Sequence, residues 1–287
     1  MAKSRLIKSF YPIKITLNNI SPQKQIEQFL FTKLSNLDLE NSCNFRKSNK
    51  QISLSRLPTN QSITYRCAIA FQLSPHFTLS FAETIFNTIK QPLKTPSDLC
   101  LDFTLKLLDP GWLDFTLCDR SLFIWLQSWE TFPYPQQKYP SKSKNHDNLW
   151  IIQYSYARCC ALLRLGEQER LIQLKNEQFK PYLWPLLTYQ SISWSNLTLN
   201  EFERSLISQL LTTVDRLINQ SNVNEIKLAL ALSESFLNFE RYCRIFGEIS
   251  QQKPQLSQAR LGLVAITQTL LQGLWLSQIE QPLRNRL

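Results

Sequence analysis

Tyr154 and Arg158 stand four residues apart, and Arg241 and Arg244 three apart, so on a helix each pair projects from one face. A tyrosine ring offers a stacking surface for an unpaired base, and a guanidinium can donate two parallel hydrogen bonds to a phosphate. That chemistry is the holding of a nucleic acid rather than the making or breaking of a bond. A structural use of the same side chains is equally consistent with the spacing, with Tyr154 in a core and the arginines paired to Glu234, Glu240 or Glu248.

Other chemistries are excluded by what the chain lacks. Its five glycines, Gly111, Gly166, Gly247, Gly262 and Gly273, are never closer than eleven positions, so no short glycine-rich phosphate loop and no nucleophile elbow can be written. The two histidines, His76 and His146, are seventy residues apart and give no zinc or facial-triad ligand set, so no metal is expected. Seven cysteines at 43, 67, 100, 118, 159, 160 and 243 form no C-x-x-C pair and read as packing residues. Six tryptophans, 125, 129, 150, 184, 194 and 275, read as core or interface. No cofactor is expected.

The net charge is +10, and residues 1–60 hold ten Lys and Arg against three Asp and Glu, whereas residues 150–287 hold fourteen against eleven. A basic excess of this kind suits either a solvated surface or one that faces phosphates. The start of the chain is basic without an apolar core behind it, and no run approaches the roughly 18 apolar residues of a membrane span. The expectation is a soluble protein of the cytoplasm or plastid stroma with no membrane contact.

Helices and strands must position the candidate pairs. Residues 131–148 (TFPYPQQKYPSKSKNHDN) lack apolar periodicity and predict a linker between a domain at 1–130 and another at 149–287. In the first, helical spacing runs over 22–35 and 82–89, and Leu101, Phe103, Leu105 and Leu107 alternate as a strand. A turn at Asp109-Pro110-Gly111 then leads to a paired strand at 112–117 and a helix at 121–128, an α+β pattern. In the second, three long helical stripes cover 201–218, 226–246 and 256–276, with Glu203, Arg204 and Asp215 assigned to the faces away from the first stripe. The second domain is therefore expected to be an all-α bundle.

Several segments resemble a known family. Gln153-Tyr154-Ser155-Tyr156-Ala157-Arg158 followed by Leu162-Leu163-Arg164 is similar to the Q-Y-A-H-A-R…L-L-R helix of arginyl-tRNA synthetases, which opens their DALR anticodon-binding bundle. Phe236-Leu237-Asn238-Phe239 with Cys243-Arg244-Ile245, Arg260-Leu261-Gly262-Leu263-Val264, and Pro282-Leu283-Arg284 resemble later segments of the same bundle, in the same order. More weakly, the segment from Lys106 to Phe115 resembles a strand turn in the additional N-terminal domain of those synthetases. The resemblance implies tRNA as partner, arginine tRNA by analogy, with Trp112, Tyr154, Arg158, Arg164, Arg241, Arg244, Arg260 and Arg284 as candidate RNA contacts. It also implies that Tyr156, standing where the family has histidine, packs inside, and that Asp114, standing where the family has an amide, repels phosphate beside a Trp112 that keeps its stacking face. The catalytic domain that the family carries between these two has only the linker in its place, so no aminoacylation is expected. The alternative reading is a scaffold recruited to bind a protein partner.

Overall fold

The computed structural model describes residues 21–34, 52–57, 62–73, 79–90, 101–131, 149–175, 185–187, 192–219, 223–276 and 283–285. His76, His146, Trp184 and the expected linker beyond Thr131 lie outside the described residues. The described residues divide into two compact units between residues 125 and 126.

The first unit is α+β. Helix α1 spans Pro22–Leu34, β1 Leu54–Arg56, β2 Thr64–Cys67, α2 Ile69–Leu73, α3 Leu79–Lys90, β3 Phe103–Leu108, β4 Trp112–Leu117 and α4 Asp119–Gln127. All neighbouring strands are antiparallel, in the order β1-β2-β4-β3. The β3–β4 turn closes where Gly111 donates its N–H to the Leu108 carbonyl at 2.8 Å, and Gly111 has φ 149°, which a side chain would disfavour. The period of two along a strand sorts the side chains onto two faces. Tyr65, Cys67, Phe103, Leu105, Leu113, Phe115 and Leu117 share the face that meets α1, where the Phe29 and Phe103 rings lie 5.4 Å apart. The other face is mostly polar, with Thr64, Arg66, Thr104, Lys106, Asp114 and Thr116 beside Trp112 and the exposed Leu108.

The second unit is a helical bundle of α5 (Leu149–Gln168), α6 (Glu201–Asn219), α7 (Glu225–Tyr242), α8 (Glu248–Gln252) and α9 (Pro254–Leu276). Helix α9 is its centre: apart from Gln258, every residue from Leu256 to Leu276 is buried, against α5, α7 and α8 among others. The sequence predicts a stripe on this helix, and the burial extends all round it instead. Apolar and small residues occupy every face of α9, and such a helix belongs inside a bundle.

Two acidic residues also depart from their expected places. Glu203 and Asp215 are buried, not outward. Glu203 completes a capping box with Asn200: Asn200 Oδ1 accepts from the Glu203 N–H at 3.0 Å, and Glu203 Oε2 accepts from the Asn200 N–H at 3.3 Å and from Thr198 Oγ1 at 2.8 Å. Its other oxygen faces an arginine of α9, described below.

Trp125, Trp129, Trp194 and Trp275 are buried, as are Cys67, Cys159, Cys160 and Cys243. Burial pushes the Cys67 and Cys160 thiols up to about 12, so both stay protonated at neutral pH. Gly262 lets the Trp194 ring rest against α9: a Cβ there would lie 2.5 Å from the Trp194 ring and 3.1 Å from Ile192. Gly262→Ala is therefore expected to destabilise the bundle by about 1–3 kcal/mol, the usual cost of overpacking, read as a lower urea midpoint at unchanged slope.

Candidate nucleic-acid interface

Helix α5 separates its residues cleanly. Ile152, Tyr156, Cys159, Cys160 and Leu163 point inward, and the Tyr156 hydroxyl accepts a hydrogen bond from Gln268 of α9 at 3.1 Å. Trp150, Tyr154, Arg158, Ala161 and Leu165, spaced by four, four, three and four, form an exposed ridge. Trp150 is 66% exposed and Tyr154 40%, so neither is a core residue. Outward faces of bundle helices are ordinarily polar, and two large rings beside a guanidinium are the arrangement that stacks bases and meets phosphates.

Arg158 links this ridge to α7, because its Nε donates to Glu240 Oε1. Glu240 directly precedes Arg241, so this ion pair ties the first pair recognised in the sequence to the helix that carries Arg241. Arg241 lies over the Tyr242 ring at 5.4 Å, and that ring stacks on Phe202 of α6 at 4.1 Å with 15° between planes. Tyr242 is still 53% exposed. Arg244 follows the helix end and is exposed. The arginines crowd a helix C-terminus, where the macrodipole favours positive charge.

The chain's last described residues lie along another face of α5. Gln153 donates from Nε2 to the Arg284 carbonyl at 2.6 Å and accepts the Arg284 N–H on Oε1 at 2.9 Å, while Arg164 Nη1 donates to the Asn285 carbonyl at 3.0 Å. Arg164 thus holds backbone and is half-buried, whereas the Arg284 residue stands exposed on a pinned segment.

Arg260 does not belong to this surface. It is the arginine of α9 that faces Glu203: its Nε donates to Glu203 Oε1 at 2.8 Å, and its Nη1 donates to the Arg244 carbonyl at 2.5 Å. The side chain is 7% exposed and the Glu203 side chain 0%. Its place in a helix buried on nearly every side turns it inward, and it holds the Arg244 carbonyl.

Trp112, in the first unit, is half-buried, with the Phe71 ring 5.1 Å away and the Arg66 guanidinium over it at 5.9 Å. Its stacking surface already has neighbours. Asp114 also differs from expectation, since it binds Arg66 side-on through two hydrogen bonds of 2.8 Å each. Those bonds raise the Arg66 guanidinium above its ordinary value, keeping it charged and cancelling the carboxylate.

No group of three or more His, Cys, Asp and Glu that could hold a metal occurs among the described residues, and no described helix is long and apolar enough to cross a membrane.

Comparison with known proteins places the ridge in a family context. Residues 152–284 match the DALR anticodon binding domain. An arginine–tRNA ligase of Synechococcus sp. (strain JA-3-3Ab) is 32% identical over 124 residues, which is 42% of this chain and 19% of the ligase. The chain thus matches about a fifth of that relative's length. No solved structure matches. The DALR match contains Tyr154, Arg158, Arg164, Arg241, Arg244, Arg260 and Arg284, with Trp150 just before it and Trp112 outside it.

Trp150, Tyr242 and Arg66 were not singled out by sequence reasoning as contacts. For Trp150 the signal was available, because it stands four residues before Tyr154 on a helix whose inward positions are already filled. Tyr242 meets Phe202 across forty residues, and Arg66 meets Asp114 through strand register, neither of which shows in a periodicity.

Proposed function

We propose that the chain is a tRNA-binding protein that carries an anticodon-binding bundle and does not itself charge tRNA. The observation that carries this reading is the exposed Trp150–Tyr154–Arg158 ridge, joined by Glu240 to the arginine-rich end of α7, in a region similar to an anticodon binding domain. Unpaired loop bases would stack on the rings, while Arg158, Arg241, Arg244 and Arg284 would meet phosphates. Arginine tRNA is the first species to try, because the relative is an arginine–tRNA ligase.

The test is binding of the purified full chain to total tRNA and to arginine tRNA across a salt series. Four phosphate contacts would cost roughly a hundredfold in affinity between about 50 and 200 mM salt. Absence of tRNA retention at low salt refutes the reading. Arginine-dependent ATP–pyrophosphate exchange is expected to be undetectable, and clear exchange would refute the non-catalytic part alone.

A second reading has its own support. The ridge continues through Ala161 and Leu165, both exposed, and residues 150–287 carry a formal charge of only +3. An apolar helix face with little surrounding charge suits a partner helix. On that reading a protein co-purifies with the chain and tRNA does not.

A further inference from the structure

We infer that the β3 edge of the first unit's sheet is a self-association surface, at which β3 of a second copy of this chain pairs antiparallel with β3 of the first. This association uses the first unit alone and is independent of tRNA binding.

The two edges of the sheet differ. The β1 edge carries two common safeguards against unwanted pairing: β1 is three residues long, and Arg56 sets a charge on the core face, over the Tyr65 ring at 6.0 Å. The β3 edge has neither. Phe103–Leu108 runs opposite β4 through consecutive partners with no bulge and no proline, and its one charge, Lys106, lies on the outer face.

The β3 edge also leaves both its apolar side chains and its main chain incompletely covered. On β4 the core-face residues Leu113 and Phe115 are 0% exposed, whereas Leu107 and Leu105 opposite them, and Phe103 beyond, are half-buried. The Asp102 carbonyl accepts the Cys118 N–H at 3.0 Å, so in the alternation of an antiparallel ladder the even-numbered residues turn their backbone groups toward β4. Phe103, Leu105 and Leu107 therefore turn theirs outward, where they have no backbone partner among the described residues.

The sequence of the edge selects a second copy as the occupant. Leu101-Asp102-Phe103-Thr104-Leu105-Lys106-Leu107 is self-complementary about Thr104. In an antiparallel pair centred there, Thr104 meets its own copy, and Asp102 and Lys106 each meet the other in the second copy. On the core face Phe103 meets Leu105, and Leu101 meets Leu107. The backbone alternation agrees, because Phe103 and Leu105 fall in hydrogen-bonded pairs while Asp102, Thr104 and Lys106 fall in the non-bonded pairs, whose side chains approach closest. Both charges are exposed, and the pairing of Asp102 with Arg120 in its own copy is a loose 3.8 Å contact between exposed side chains. A pair centred on Leu105 instead would set Lys106 against Thr104 and Asp102 against Leu108, so charge fixes the register.

Sedimentation velocity of the full chain over a concentration series is expected to show a monomer–dimer equilibrium. Lys106→Glu sets two acidic side chains opposite each other on either side of the centre and should weaken the dimer at least about tenfold. Combining it with Asp102→Lys restores opposite charges in exchanged places and should return affinity to within about threefold of wild type. These side chains are exposed, so folding is preserved. Thr104→Cys brings two thiols to a Cα separation of about 4.5 Å and should form an inter-chain disulfide under mild oxidation. Lys106→Cys, about 13 Å from its own copy along the second strand, should not. In the wild-type chain, amide exchange at Phe103 and Leu105 should slow as protein concentration rises. A chain that stays monomeric at every concentration overturns the inference. So do dimers that Lys106→Glu leaves intact or that the exchanged charges fail to restore, and so does cross-linking by Lys106→Cys in place of Thr104→Cys.

Discussion

Replacing Arg260 by methionine is expected to cost the bundle about 3–5 kcal/mol, a large part of the roughly 5–15 kcal/mol that holds an ordinary domain together. The cause is the Glu203 carboxylate, which is fully buried and would be left without its partner. It would also lose the bond from Arg260 Nη1 to the Arg244 carbonyl. Helix α6 suffers at its start, because the same carboxylate accepts the Asn200 N–H of the capping box. Urea unfolding of the full chain, followed by the tryptophan signal, gives the measurement. The double variant Arg260→Met with Glu203→Gln should recover much of the loss, since an uncharged amide can still accept from Thr198 and Asn200 and no bare charge remains. A cost below about 1 kcal/mol for Arg260→Met would mean that the pair contributes little. Weakened tRNA binding by the same variant would be an effect on position, through the loosened backbone of Arg244.

Arg260 also illustrates how far the sequence could be read. It is the only charged residue in the 23 residues of α9, whose remaining positions are apolar, small or uncharged polar on all sides. That composition signals a buried helix, and a lone charge in a buried helix must find an opposite charge inside. A stripe drawn through the apolar positions missed this, because a stripe can be drawn through any helix that is apolar all round. The amphipathic helices α1 and α6 and the β3–β4 hairpin, by contrast, were legible at nearly their observed limits, since each shows one period and one burial face. The polar face of the sheet was not legible. Arg66 and Asp114 are forty-eight positions apart, and only the antiparallel register of β2 on β4 sets them opposite each other. The candidate site divides in the same way: Tyr154 and Arg158 follow from local spacing on one helix, while the Arg158–Glu240 pair that joins them to Arg241 follows from the packing of α5 on α7.

Tyr154→Ala is expected to weaken tRNA binding by about ten- to a hundredfold, and Trp150→Ala by a similar factor, because a stacked base contributes about 1–3 kcal/mol. Neither change should disturb folding. Both rings stand on the outward ridge, where a substitution typically shifts stability by no more than about 0.5 kcal/mol. The salt dependence then distinguishes the ring contacts from the charge contacts. Loss of a ring lowers affinity at every salt concentration and leaves the slope of log affinity against log salt unchanged, whereas Arg158→Ala or Arg241→Ala lowers the slope by about 0.7–0.9 each. Tyr154→Phe keeps the stacking face and should bind almost as wild type. The measurement is fluorescence anisotropy of labelled tRNA, titrated at four salt concentrations with each variant. Unchanged affinity in both alanine variants would remove the ridge from the RNA surface. If the same variants also abolished capture of a co-purifying protein, the apolar continuation through Ala161 and Leu165 would be what the ridge serves, and α5 would be a docking helix.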